Sequence, residues 1–282
     1  MEESGLWFTI GDVAHRTGVS VTTLRAWEAR HGFPVPQRLP SGHRRYRASD
    51  VALIEQVLRD RAAGLSLEAA LTNARGAETA TLPRSIFTGL RRQRPDLVPH
   101  TISQRAMLAI SRAIEDECCA VATRSVLIGS FQNERFYRRS EARWHELART
   151  AELTVVFASF DDHDTDGDIR KVALPRAEPL LREWAVVCHA PDAHAVLAGW
   201  ERSGSGRTQQ ERQFEAIWSA EPAVAALAAR VALDLGRTLA PGILPSIDES
   251  QAADEDPLHT VRRAIGLTNR VVAYMEGIDH PA

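Results

Sequence analysis

Three prolines within seven residues, Pro34, Pro36 and Pro40, set the strongest constraint on how this chain begins. Proline has no amide hydrogen and its ring collides with the preceding helical turn, so FPVPQRLPSGHRRYR cannot continue a helix. What precedes it is dense in helix start and stop chemistry. Thr9 with Asp12 three residues on forms a capping box, Phe8 and Val13 form a hydrophobic staple across it, and Gly18 closes that helix. Ser20 caps a second helix, VTTLRAWEAR, with Val19 and Leu24 as its staple and Gly32 as its stop.

A helix of about two turns, a glycine turn and a second helix is the spacing of a helix-turn-helix. Beyond it, Pro40-Ser41-Gly42 is turn chemistry between two short extended pieces, one holding Arg38 and the other His43, Arg44, Arg45, Tyr46 and Arg47. A basic hairpin in that position is a wing. Ser49 is expected to cap a third helix ending at Gly64, and Ser66 a fourth. The net charge of −3 conceals a local asymmetry: between Val13 and Arg47 stand seven Arg (16, 25, 30, 38, 44, 45, 47) and a single acid, Glu28. A compact cationic patch of this kind concentrates a polyanion whatever the overall charge.

Residues 8–74 resemble the winged helix-turn-helix of the MerR family of transcription regulators. The string TLRAWEARHGFPVPQRLPSGHRRYRASDV is similar to the branch with TLRAWERRYGFP and a GHRxY wing, which includes B12-dependent light-responsive repressors. The resemblance implies duplex DNA as partner, with Thr22, Thr23 and Arg25 facing the major groove. It further implies Arg16, Trp27 and Tyr46 against the backbone and Arg38, His43, Arg44 and Arg45 as wing contacts. It also implies a homodimer, with RNA polymerase as the machinery it acts on.

Family members commonly dimerise through a long helix directly after the DNA-binding unit. Pro83, Pro95 and Pro99 leave no room for one here. Two alternatives are open. ISQRAMLAISRAIEDE, capped by Thr101 with Gln104, carries an apolar stripe from Ile102 to Ile114. Near the C-terminus, Leu258, Val261, Ile265, Val272 and Met275 follow steps of three and four, with Thr268 in the remaining position, and this second helix is the preferred partner surface.

From about Val121 the rhythm changes. SVLIGSF (125–131), LTVVFASF (153–160), IRKVALP (169–175) and WAVVCHAP (184–191) read as strands, and 134–151 reads as helical. An Ala-rich helical region is expected from Phe214 to Leu235, broken by Pro222. The order indicates an α/β domain around one sheet. LIGSFQNERFY (127–137) and the strand after it resemble the DICT domain, a sensory module joined to MerR-type heads in some regulators, which implies a small-molecule ligand or other signal. Trp184 and Trp200 are the candidate ligand contacts among the domain's large aromatics.

Other chemistry is thinly represented. Asp162-x-Asp164-x-Asp166-Gly167 matches the first half of a calcium loop, yet position twelve is Ala173, so it reads as a solvated turn with no metal. Asp161-x-His163 resembles part of a cobalamin motif, but the required glycine comes one residue late and no Gly-Gly occurs, so no cofactor is expected. Walker, Rossmann, G-x-S-x-G and zinc patterns are missing from the sequence, which argues against an enzyme. A DNA-targeted scaffold or enzyme, its α/β domain recruiting a partner or acting on a small molecule, is the competing class. Cys118, Cys119 and Cys188 make no disulfide framework, MEESGLWF is no secretory signal, and no apolar run nears the roughly 20 residues of a membrane span. A cytoplasmic protein is expected.

The fold class is thus α+β and multidomain: an α-dominated winged helix-turn-helix, an α/β sensory domain and a C-terminal helix. The expected segments are 1–75, 76–100 as linker and short helix, 101–240, and 241–282 as acidic linker and amphipathic helix.

Overall fold

The computed structural model describes residues 7–39, 43–62, 65–76, 84–122, 124–176, 178–202, 212–245 and 257–277. The chain divides into two compact units, Met1–Thr81 and Leu82–Ala282.

In the first unit, α1 (Ile10–Thr17) opens with the full capping box: Asp12 N–H donates to Thr9 Oγ1 and Thr9 N–H to Asp12 Oδ2. Gly18, at φ +71°, ends it in the left-handed conformation that only glycine adopts without strain. α2 (Val21–His31) begins at the Ser20 cap and ends at Gly32 in the same conformation. Phe8, Val13, Val19, Leu24 and Phe33 are all buried between these elements. The wing is larger than a hairpin. β2 (Gln37–Arg38) and β1 (Trp7–Phe8) flank β3 (Arg44–Arg47) in a three-stranded antiparallel sheet. The expected Pro40-Ser41-Gly42 turn lies outside the described residues, as does Gly64. Helices α3 (Ala48–Ala62) and α4 (Leu67–Gly76) complete the unit. Ser66 caps α4 through Ala69 N–H as expected. Ser49 does not cap α3, which already starts at Ala48. There the Asp50 carboxylate accepts the Arg47 N–H at 2.6 Å instead.

The second unit starts well before residue 101. The short helix expected with the linker over 76–100 is α5 (Ile86–Gln93), and it belongs to the second unit, buried from Ile86 through Arg91. The reason is a long-range cap: Phe87 N–H donates to the Glu183 carboxylate at 2.9 Å, and Arg84 pairs with Glu178 at 2.6 Å. Next come β4 (His100–Ser103) and α6 (Gln104–Ile114), which Ser103, not Thr101, caps, because Thr101 sits within the strand. A π-helical turn (Glu115–Cys119) extends α6. The remaining elements are β5 (Val126–Ser130), α7 (Glu134–Arg138), α8 (Glu141–Ala148), β6 (Leu153–Ala158), β7 (Ile169–Ala173), β8 (Glu183–His189), β9 (His194–Glu201), β10 (Gln213–Ser219), α9 (Pro222–Leu239) and α10 (Pro257–Gly277). The helix expected from Phe214 is a strand up to Ser219. Pro222 starts α9 instead of breaking a helix, since a first-turn proline loses no hydrogen bond.

Among the described residues, the strands of the second unit form one seven-stranded mixed sheet in the order β4-β10-β9-β8-β5-β6-β7, with β5, β6 and β7 parallel and every other pair antiparallel. α5 and α9 pack on it, and α6 packs over β8, β9 and β10 with α10 against its outer side. Gly199 permits the close approach of α6, since a β-carbon there would stand 2.5 Å from Met107 Cε. Among the described residues, no helix is long and apolar enough to cross a membrane.

Candidate nucleic-acid interface

The first unit carries the cationic surface. At the N-terminal end of α2, Thr22 and Arg25 are exposed. Thr23 is half-buried and engaged in the cap: its N–H donates to Ser20 Oγ at 3.0 Å, and the two hydroxyls lie 2.8 Å apart. Unpaired N–H groups of the first helical turn attract anions in addition to the Arg side chains. Trp27 is half-buried and, with Thr22, Thr23, Ala26, Arg30 and Leu67, lines a shallow groove along α2. Arg16 is exposed and its guanidinium lies over the Phe8 ring at 4.4 Å, a stacking that restricts its direction.

The wing residues divide into two groups. Arg38 is 65% exposed, His43 is exposed, and Arg45 is half-buried with one guanidinium N–H donated to the Arg44 carbonyl. Arg44 is different. Its Nε donates to both Glu28 carboxylate oxygens, at 3.1 and 2.8 Å, so the one acid of the basic stretch braces the wing strand to α2. Bonding to Glu28 holds the Arg44 guanidinium above its usual pKa. Arg38 reaches the same carboxylate at 3.9 Å. Tyr46 corrects the expectation outright. It is 1% exposed and belongs to the core of the unit, where burial first and then the Glu28 charge push its phenol up. A side chain so placed cannot lean on a phosphate.

Three residues of this surface were given no contact role from the sequence: Trp7, and Arg30 and Arg47 of the basic stretch. Arg47 stacks over the exposed Trp7 ring at 5.4 Å, and Arg30 stands exposed in the last turn of α2. In the sequence Trp7 is marked only by its place just ahead of the Thr9–Asp12 capping box; its exposure is visible in the structure alone.

The two candidate ligand contacts do not share a site. In the β8–β9 ladder Glu183 faces Trp200 and Trp184 faces Gly199, and adjacent strand residues point to opposite sides of the sheet. Trp200 is therefore buried at 1% exposure on the side of Glu183, with the Arg182 guanidinium 5.3 Å from its ring. Trp184, half-buried, lines a cavity on the other side. The acidic loop behaves as a turn: Asp164 Oδ1 accepts the Asp166 N–H and its carboxylate pairs with Lys171 at 3.3 Å.

Residues 9–46 match the MerR family regulatory protein, and residues 84–202 match DICT, the sensory domain in diguanylate cyclases and two-component systems. The chain joins a MerR-family domain to a DICT sensory domain. It is similar to the HTH-type transcriptional repressor CarH of Myxococcus xanthus, 32% identical over 115 residues, 38% of this chain and 36% of that protein. It is also similar to the HTH-type transcriptional regulator MlrA of Escherichia coli (strain K12), and of Salmonella typhimurium (strain LT2), 40% identical over 52 residues. Those 52 residues are 18% of this chain and 21% of either relative, so the chain spans about a third of CarH and a fifth of MlrA in the matched parts. The MerR match contains the helix-turn-helix and reaches Tyr46 in β3. The DICT match starts at residue 84, two residues ahead of α5, and so includes that buried helix.

Proposed function

We propose that this protein is a homodimeric, sequence-specific regulator of transcription that binds duplex DNA through its MerR-family domain and senses a signal through its DICT domain. One observation carries the reading: the exposed N-terminal end of α2, with Thr22 and Arg25, belongs to the same MerR-matched domain as a wing whose strand β3 is fastened to α2 by Glu28 and Arg44. A recognition helix inserts its N-terminal residues into the major groove, and the wing follows the adjoining backbone. Phosphate contacts from Arg38, Arg45 and Arg47 fix the register, while Thr22 and Arg25 meet base edges, where a guanidinium pairs bidentately with guanine. The regulators among its relatives support the same reading. RNA polymerase is the machinery that such a bound dimer would assist or block.

Dimerisation is assigned to α10. Its Leu267 is buried against its own domain, whereas Leu258, Val261, Ile265 and Val272 are all more than half exposed and repeat at heptad spacing along another face. A seam of this kind pairs with its own copy. Mobility shifts with a random-sequence duplex pool, at low and moderate salt, test the DNA reading; enrichment of one pseudo-palindromic sequence is expected, and uniform recovery refutes it. Val261→Glu with Ile265→Glu, both on the exposed seam, should turn a dimer into a monomer by light scattering. A persisting dimer moves the interface elsewhere.

A further inference from the structure

Between α6 and the connection from β5 to α7 lies a cavity of about 340 Å³, at the small end of the range for ligand sites. We propose that it is a binding site for a small planar molecule bearing an acidic group, an aromatic carboxylate of one or two rings. This deepens the sensing role assigned to the DICT domain and rests on it.

The walls define the ring. Trp184, Phe131, Phe136, Leu108 and Val186 line the cavity. The aromatic walls are held in place from behind: Phe131 meets Trp144 edge-on at 5.6 Å and Tyr137 at 5.5 Å, and Trp184 meets Phe214 edge-on at 5.9 Å. Gly129 helps to keep this arrangement, since a β-carbon there would stand 2.6 Å from the Trp144 ring and 2.9 Å from Phe131. Flat, rigid apolar faces of this kind suit a flat ring and cost little ordering entropy when one binds.

The polar groups define the rest. Ser111 is 3% exposed and lines the cavity, yet its hydroxyl has no hydrogen-bond partner among the described residues. Gln104 Oε1, also in the lining, is buried and equally unpartnered. A buried polar atom left unpaired is costly unless something supplies its bond, so both atoms point to a ligand with hydrogen-bonding capacity. Charge selects the sign. Arg212 is spoken for, because its guanidinium holds Glu201 at 2.6 and 2.8 Å and also donates to Gln132. Arg112 and Arg139 stand exposed at the cavity, opposed there by Glu115. Burial pushes the Glu115 carboxyl up to about 7, which leaves the cavity with a positive excess near neutral pH. Glu115 opens the π-helical turn, a backbone form common at functional sites. A carboxylate between Arg112 and Arg139 that also accepts from the Ser111 hydroxyl, a ring against Trp184 and Phe131, and a ring N–H donated to Gln104 Oε1 would satisfy these groups together.

The test is calorimetric titration of the full chain with benzoate and indole-3-acetate, with benzamide and indole-3-acetamide as uncharged counterparts. The acids should bind at least fivefold more tightly than the amides. Arg112→Ala with Arg139→Ala, both on exposed side chains, should weaken the acids about tenfold and leave the amides unchanged. Ser111→Leu, which fills the cavity, should abolish binding of both. The proposal is overturned if neither acid binds at millimolar concentration, if the amides bind as tightly as the acids, or if the arginine pair has no effect. Binding without any change in DNA affinity supports the site while refuting the sensing role, so the two failures are separable.

Discussion

If Arg44 is a brace and Arg45 a phosphate contact, removing them must affect DNA binding in different ways. Arg44 spends its guanidinium on Glu28, so the pair is nearly neutral towards an approaching polyanion. Arg45 spends one N–H on a carbonyl and retains its full charge. The informative perturbation is therefore a neutral one: Glu28→Gln together with Arg44→Gln deletes both charges and leaves the net charge untouched. Each phosphate contact contributes a slope of about 0.9 in log affinity against log salt, so one contact per protomer of a dimer contributes roughly 1.8. Over a fourfold rise in salt, that slope corresponds to about 12-fold in affinity. Arg45→Ala should flatten the salt dependence by this amount. The double substitution should leave the slope as it was and lower the melting temperature. Glu28→Gln alone, by releasing Arg44 and Arg38, should steepen it. Fluorescence anisotropy with a labelled duplex across a salt series measures all three. A double variant whose slope falls as far as that of Arg45→Ala would refute the brace and return Arg44 to the phosphates.

Other expectations rest on single interactions. Ser20→Ala removes the cap of α2 and should destabilise the first unit by about 1 kcal/mol, read by chemical denaturation, with weaker DNA binding as α2 frays at its recognition end. Glu183 is fully buried, and burial raises its carboxyl to about 7 despite bonds from Ser85 and the α5 backbone. The folded state thus holds a proton that the unfolded chain releases near its ordinary value. Stability from this group is complete below about pH 4.5 and declines as the pH rises to 7, by about 3 kcal/mol in total. Glu183→Gln should flatten that decline in denaturant titrations from pH 5 to 8. A residual slope of the same sign should remain from Glu115, and an unchanged slope would refute the assignment. All three cysteines are buried, and burial pushes the Cys118 thiol up to about 12, so a thiol reagent should label none of them in the native protein within an hour and all three in urea. Rapid native labelling would show that the sheet opens locally.

The parts of this fold that were legible in the sequence are those settled by neighbours in the chain. The Thr9–Asp12 box, the Ser20 cap and the left-handed glycines at 18 and 32 each act within four residues, and α1 and α2 stand where those signals put them. Among the strands that escaped notice, β9 and β10 are stabilised by partners the sequence does not announce. β10 pairs with β4 more than a hundred residues away, and its Ala and Ile read equally well as the start of the helix that follows. Trp184 and Trp200 were separated by register, which places each opposite a different residue and hence on a different side of the sheet. The wing presents the same problem at a smaller scale. In β3, alternation puts Arg44 with Tyr46 and Arg45 with Arg47, one pair towards Glu28 and the core and the other away. A tally of seven arginines treats them as equivalent. The single acid among them does not, because a carboxylate sixteen residues before Arg44 bonds that guanidinium at 2.8 Å, touches Arg38 only at 3.9 Å and leaves the others to a partner. In a basic surface, the position of the lone opposing charge therefore says more about which arginines can reach DNA than the number of arginines does.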